Sequence, residues 1–163
     1  MEVKINSSEL LKALNHVHGI VEVRHTLPIL SNIILIAKDD ILSLSSTNLD
    51  IYCSDVISAE IQTAGEISVS AITFFEIVKR LPAGSDVIMS MESTDSELVI
   101  KCGRSKFKLS TLKIDDFPTI SDADLSTAFV MTSEELIRLV DKTKFAISNE
   151  ETRYYLNGIF FHK

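Results

Sequence analysis

Lys4-Ile-Asn-Ser-Ser-Glu-Leu-Leu-Lys12 lies over Val130-Met-Thr-Ser-Glu-Glu-Leu-Ile-Arg138 when the chain is set against itself. The correspondence extends without a gap from Val3–Leu35 to Phe129–Phe161, always at an offset of 126. Thr26 meets Thr152, Leu30 meets Leu156, and Ile33-Ile34-Leu35 meets Ile159-Phe160-Phe161. Identity is low, but the apolar positions coincide. A period this long indicates one domain followed by the opening of a second copy, not a solenoid of short repeats. The reading is of a modular chain, and of an incomplete one.

Each copy opens on the same helix signal. Asn6 is placed to cap with Glu9 three residues on, and Thr132 to cap with Glu135 three residues on, the second pair making a full capping box. Leu10, Leu11, Leu14 and Val17 then form one apolar stripe, answered by Leu136, Ile137, Val140 and Thr143. The outer faces carry Lys12, Asn15 and His16 in the first copy and Arg138, Asp141 and Lys142 in the second.

Between these helices the chain reads as short strands over 3–5, 29–37, 41–46, 49–59, 66–69, 86–91, 97–102 and 106–112, many alternating in polarity as a half-buried sheet requires. Asp39-Asp40, Ser93-Thr94-Asp95-Ser96 and Gly103-Arg104-Ser105 supply hairpin turns. A second helix follows Ser70, with Phe74, Phe75, Ile77, Val78 and Leu81 apolar, and stops at Pro82-Ala83-Gly84. The polar run from Asp115-Asp116-Phe117-Pro118 to Asp124 reads as a linker. The expected fold is α+β, with two helices packed on antiparallel strands over residues 1–125. Residues 126–163 form the truncated β-α-β start of a second module, below the ~40 residues at which chains fold without staples.

Composition bounds the function. Of 163 residues, 45% are hydrophobic and 24% charged, ordinary for a globular protein. No apolar run approaches the ~18–20 residues that span a bilayer, and Met1-Glu-Val-Lys-Ile lacks a signal-peptide stretch. Cys53 and Cys102 read as reduced thiols, so the expected location is cytoplasmic. A net charge of −7 counts against nucleic-acid binding, yet segregated charge permits it. A cationic face can meet phosphate while acidic surface lies beyond a Debye length of ~8 Å.

No constellation argues for catalysis. The four histidines and two cysteines have no metal-ligand spacing, and five single glycines make no phosphate loop. No serine sits in a Gly-x-Ser-x-Gly elbow. The expectation is a non-catalytic chain without metal or cofactor. Three features invite attention. Arg24 precedes His25-Thr26-Leu27-Pro28 in a loop, where a solvated cation is the plain reading. Arg153-Tyr154-Tyr155-Leu156 sets a cation and two aromatics at a loop-to-strand junction, suited either to stacking or to sheet packing. Arg104, Lys106 and Lys108 alternate with Phe107 and Leu109, which makes one face of a strand basic. Such a strand is either an edge defended by charge or one that pairs with a partner.

At these residues the chain resembles the beta sliding clamp family of bacterial DNA polymerase III. Arg24-His-Thr-Leu-Pro-Ile-Leu-Ser-Asn32, Ser46-Thr-Asn-Leu-Asp50, Gly103-Arg-Ser-Lys-Phe-Lys-Leu-Ser-Thr-Leu112, Asp116-Phe-Pro118 and Arg153-Tyr-Tyr-Leu-Asn-Gly158 carry the resemblance in order from end to end. It covers the family's first domain and the opening of its second. The resemblance implies a DNA-clamp fold, three domains per subunit and two subunits closing head to tail around duplex DNA. It also implies partners in the DNA polymerase III core and the clamp loader. Lys12, Arg138 and Lys142 fit cations that contact phosphate loosely, Arg24 aligns with a DNA-contacting loop arginine, and Tyr154 lies near DNA. Tyr155 and Leu156 align with the groove that captures partner motifs. Arg104, Lys106, Phe107 and Leu109 lie on the strand that meets the other subunit. A polymerase or nucleotidyltransferase label would describe the assembly, not chemistry by this chain.

Departures weigh on that picture. Glu150 stands where relatives often place a neutral DNA contact, and Thr73 and Glu97 stand where some carry interface cations. A third domain is missing, so the alternative is a truncated interaction module that binds an intact clamp without forming a ring, or a non-functional fragment. Added alone to a primer-extension reaction with loader present, the chain should leave product length unchanged; longer products would refute this.

Overall fold

The computed structural model describes residues 1–21, 27–91, 96–114, 117–118 and 129–162. The expectations for Arg24, for the turn at 93–95, for Asp115-Asp116 and for most of the linker fall outside these residues. The chain divides into two compact units, Met1–Ile120 and Ser121–Lys163.

Among the described residues of the first unit, nine strands and two α-helices form two β-α-β-β-β halves. The first half is β1 (Glu2–Asn6), α1 (Ser7–Val17), β2 (Asn32–Lys38), β3 (Ile41–Thr47) and β4 (Tyr52–Ser58), with β5 (Glu60–Thr63) continuing past Ala59. The second is β6 (Gly65–Ser70), α2 (Ala71–Lys79), β7 (Asp86–Ser90), β8 (Glu97–Cys102) and β9 (Ser105–Leu112). The sheet runs β4-β3-β2-β6-β9-β8-β7-β1-β5, and every pairing is antiparallel. The halves exchange their first strands: β1 pairs with β7 and β6 with β2. The last strands then bend to the opening strand of their own half, which the exchange has placed beside the other half's strands. β9 leaves β8 to meet β6 at Thr111 and Leu112, as β5 meets β1.

One core serves both helices and the sheet, with Phe74, Leu10, Leu14, Leu35, Leu44, Met89, Leu98 and Ile100 fully buried. Its alternation is visible along β3, where Leu42 and Leu44 go in and Ser43 stays half-exposed. Met1 is buried against Gly65, where a Cβ would stand 2.9 Å from the Met1 Cβ, so only glycine admits this approach of the two chain segments. A smaller cluster of Ile29, Leu30 and Ile34 with Ile114 and Phe117 forms apart from it.

The α1 stripe is buried as the spacing predicts at Leu10, Leu14 and Val17, with Leu11 half-buried. Its cap differs from a full box: Asn6 Oδ1 accepts from the Ser8 N–H at 2.9 Å, while Asn6 Nδ2 donates to the Gly84 carbonyl. The box forms only in the second unit. There the Glu135 N–H donates to Thr132 Oγ1 and the Thr132 N–H to the Glu135 carboxylate, which holds that carboxyl below its ordinary value.

Local chemistry shifts several strand ends. Residues 28–31 form a 3₁₀ turn with Pro28 at its start, so β2 begins at Asn32. Asn48 Oδ1 accepts from the N–H groups of Asp50 and Ile51, and Leu49 takes φ 80°, so 48–51 is the β3–β4 turn and β4 begins at Tyr52. Asp39 and Asp40, at φ 51° and 59°, make the expected hairpin turn. The short polar β5 has no clear alternation to reveal it.

His16 on α1 clasps the β4 strand: its Nδ1 lies 2.6 Å from Asp55 Oδ2, while Asp55 Oδ1 accepts the Val56 N–H at 2.8 Å. The His16 bond, aided by the Val56 N–H and the charges of His16 and Lys12, holds the Asp55 carboxyl below 3.8. This contribution to stability is therefore present above about pH 3.8 and is lost as pH falls through the lower folded value. An NMR titration should place the Asp55 midpoint below 3.8, and His16→Ala should move it back toward 3.8. An unshifted midpoint in the unaltered chain would remove the clasp.

The second unit contains α3 (Ser133–Thr143) followed by 3₁₀ turns over Lys144–Ala146 and Glu151–Leu156. Neither the strand expected before α3 nor the one expected over 155–161 forms: 129–132 and 157–161 take no strand pairing, and Tyr155 and Leu156 lie in the 3₁₀ turn. A strand requires a neighbour for its N–H and C=O groups, and the described residues of this unit supply none. The α3 stripe is correspondingly open, with Leu136 44%, Ile137 60% and Val140 38% exposed. Hydrogen exchange should therefore find α3 amides far less protected than those of α1; equal protection would contradict it.

Candidate nucleic-acid interface

Cations gather on the outward side of the helices because their stripes are committed to the core. Burying Leu10, Leu14 and Val17 leaves Lys12, Asn15 and His16 outward on α1. Burying Phe74 and Val78 likewise leaves Thr73 and Lys79 outward on α2, with Arg80 at its end. The two helices pack side by side, and His18 stacks on Phe75 with ring centroids 3.9 Å apart. The His18 Nδ1–H donates to the Leu14 carbonyl, which fixes the ring. Lys79 Nζ sits 5.6 Å from the same Phe75 ring, and Arg80 pairs with Glu76 at 2.5 Å.

This layer can do one thing chemically: present ammonium and guanidinium groups from rigid helices to a polyanion. It is not purely basic, since Glu9 and Glu76 share it. Lys79 and Arg80 were missed in the sequence reading, although their place after the α2 stripe marks them as outward residues of that helix. Among the described residues no cluster of His, Cys, Asp or Glu could hold a metal, and no helix is long and apolar enough to cross a membrane.

In the second unit, taken by itself, Arg138 and Lys142 are exposed one turn apart on α3. Lys144 pairs with Asp141 at 2.7 Å, and Arg153 with Glu150 at 3.5 Å. Tyr154 and Tyr155 are 79% and 71% exposed and meet edge to face at 5.9 Å. Leu156 is also exposed, and its carbonyl accepts the Ser148 N–H. The tyrosines and Leu156 thus lie together on a 3₁₀ turn, not at the start of a strand.

On β9 the expected interface residues separate by parity. Arg104 stands in the β8–β9 turn and not on the strand expected to carry it; it and Lys106 are exposed, whereas Phe107 is half-buried and Leu109 is buried in the core. The side chains of Phe107 and Leu109 are therefore turned to the core and not outward. Lys108 bonds Glu97 across the β8–β9 ladder at 2.7 Å. The Thr111 N–H donates to the Ser96 carbonyl, so odd-numbered residues of β9 turn their N–H and C=O to β8. Those of Lys106 and Ser110 turn away from it.

The sheet, the helix layer and the repeat can be set against known proteins. A family model described as the DNA polymerase III beta subunit, N-terminal domain, matches residues 1–121. The beta sliding clamp of Caulobacter vibrioides (strain NA1000 / CB15N) is 51% identical over 162 residues, which is 99% of this chain and 44% of that protein. The Pseudomonas aeruginosa beta sliding clamp is 40% identical over 98% of this chain and 43% of its own length. The crystal structure of the C. crescentus beta sliding clamp superimposes with a TM-score of 0.96 at 51% identity, covering 99% of this chain and 43% of that one. A Bartonella birtlesii sliding clamp gives 0.94 at 39% identity, again over 99% and 43%. The chain thus spans less than half the length of these relatives. With the fold, the whole-length identity and the domain model in agreement, the chain belongs to the beta sliding clamp family of bacterial DNA polymerase III.

Proposed function

We propose that this chain is an arc of a clamp that encircles duplex DNA and tethers the replicative polymerase, acting without catalysis and without sequence preference. The observation that carries this reading is the α1–α2 layer, in which Lys12, Lys79 and Arg80 project from helices fixed by the core. Encirclement requires only loose phosphate contact, because topology supplies retention. Cations on rigid helices give contact of that kind, with affinity set by salt and not by bases. By position in the family, Arg24, Arg138, Lys142 and Tyr154 are read as further DNA contacts.

Residues 126–163 are read as the opening of the second clamp module, α3 standing for α1. Tyr155 and Leu156 would belong to a groove for short motifs of the polymerase III core and the clamp loader. The open side of β9 at Arg104 and Lys106 would meet another subunit, and a cytoplasmic location follows from the role. A second reading, favoured by that same β9 side, is an interaction module that binds an intact clamp.

Binding of fluorescent duplexes of unrelated sequence tests the DNA contact. Affinity should be alike across sequences and fall with salt. Lys12→Ala and Lys79→Ala should each flatten the log–log salt slope by about one. Absence of binding at low salt, or slopes untouched by both variants, would sink the reading for this surface.

A further inference from the structure

The second unit holds one side of an exchange that the first unit completes, and we infer that a second copy of the chain supplies the other side: the second units of two copies swap opening strands and close a two-fold dimer. This rests on reading the second unit as a copy of the opening of the first, and not on DNA binding. In the first unit the halves exchange strands by one rule. The residue that caps each helix, Asn6 for α1 and Ser70 for α2, faces the first residue of the other half's second strand, Asp86 of β7 or Asn32 of β2. Inward pairs follow at alternate positions: Ile5 with Val87 and Val3 with Met89, Val69 with Ile33 and Ile67 with Leu35, all in the core. The pattern is its own two-fold image, so two identical halves satisfy it.

The second unit has the parts of one such half. Thr132 caps α3, and the offset of 126 puts Gly158 at the place of Asn32, shortly after a 3₁₀ turn as Asn32 is. The same rule sets Thr132 of one copy against Gly158 of the second, Met131 against Ile159, Val130 against Phe160 and Phe129 against Phe161. Every pair but the first is apolar on both sides. In a single copy these side chains lie open. Phe129 and Phe161 stack with ring centroids 5.6 Å apart, yet each stays more than half exposed, and Val130 and Phe160 are almost wholly exposed. Leu136 and Val140, the counterparts of buried Leu10 and Leu14, are open as well. Apolar surface this continuous marks an interaction site. Each open strand position has its complement on the same segment, at the register the first unit uses, so the partner that fits is a second copy.

Backbone parity fixes which pair stands closest. The Ser7 N–H donates to the Ser85 carbonyl and the Met91 N–H to the Met1 carbonyl, so odd-numbered residues of β1 make the bonds to β7. Lys4 and Ile88 then form a narrow pair without mutual bonds, on the side away from the core. Val130 and Phe160 of the second copy take that narrow place, close enough for a disulfide between substituted cysteines. α3 lies beside the α3 of the second copy as α1 lies beside α2, which leaves Arg138 and Lys142 outward. The same surface serves on both copies, so the contact is isologous and stops at two.

Sedimentation equilibrium on the 163-residue chain tests the dimer. Average mass should rise with concentration to twice that of one chain and level there, and α3 amide protection should rise over the same range. Val140→Asp on α3 and Phe161→Asp outside it should each keep the chain monomeric. Both residues are exposed in the single copy, so melting of the first unit should be unchanged. Mixed and oxidised, Val130→Cys and Phe160→Cys chains should give a dimer whose disulfide, located by peptide mapping, joins positions 130 and 160. Val130→Cys mixed with His162→Cys, out of register, should not cross-link. A chain still monomeric at about 1 mM overturns the inference. So does growth past the dimer, or a dimer that either aspartate variant keeps. A dimer lost with both aspartates but giving no 130–160 cross-link would overturn the exchange, while leaving the second unit as a counterpart of the first unit's opening.

Discussion

The exchange of first strands between the two halves of the first unit is the constraint on which the rest depends. β1 is hydrogen-bonded to β7 and β6 to β2, so neither half completes a sheet without the other. Backbone groups removed from water require partners, and here each half satisfies the other's opening strand. The bend of β9 onto β6 is supported by a buried polar relay. Asn32 Nδ2 donates to Ser68 Oγ at 3.0 Å, and Ser68 Oγ donates to the Leu112 carbonyl at 2.9 Å. Among the described residues no buried side-chain polar atom is left without a partner.

That frame also fixes the helix layer. Because α1 and α2 each follow an exchanged strand, both fall against the one core and lie beside each other. Their apolar stripes face in, and their cations face out by helical geometry alone. The His18–Phe75 stack and the His16–Asp55 clasp then hold α1 at both neighbours, α2 and β4. The surface proposed to meet phosphate is thus prepositioned by core packing.

Much of this was legible in the residues. The α1 stripe, the Thr132–Glu135 box, the Asp39-Asp40 turn and most strand positions follow from periodicity and turn chemistry, which are local. The proposed interface was legible in part: Lys12 stands on the outer face of a strongly patterned helix. Lys79 and Arg80 gain meaning only when α2 is seen beside α1. On β9, alternation marked the cationic face, but Leu109 is a core residue and Phe107 packs against that core, because their side of the strand faces it. The strand expected near Tyr155 failed for the opposite reason: its composition suits a sheet that its unit does not provide.

The sequence by itself determined the elements, the offset of 126 that makes α3 the counterpart of α1, and the kinship those motifs declare. Tertiary structure alone decided which strands are neighbours, which edges stay open, and that equivalent stripes meet opposite fates. Leu14 is buried and its counterpart Val140 is 38% exposed, although both sit at the same place in the same pattern. The difference is physical: a stripe becomes core only when another surface excludes water from it, and that surface comes from residues distant in the chain.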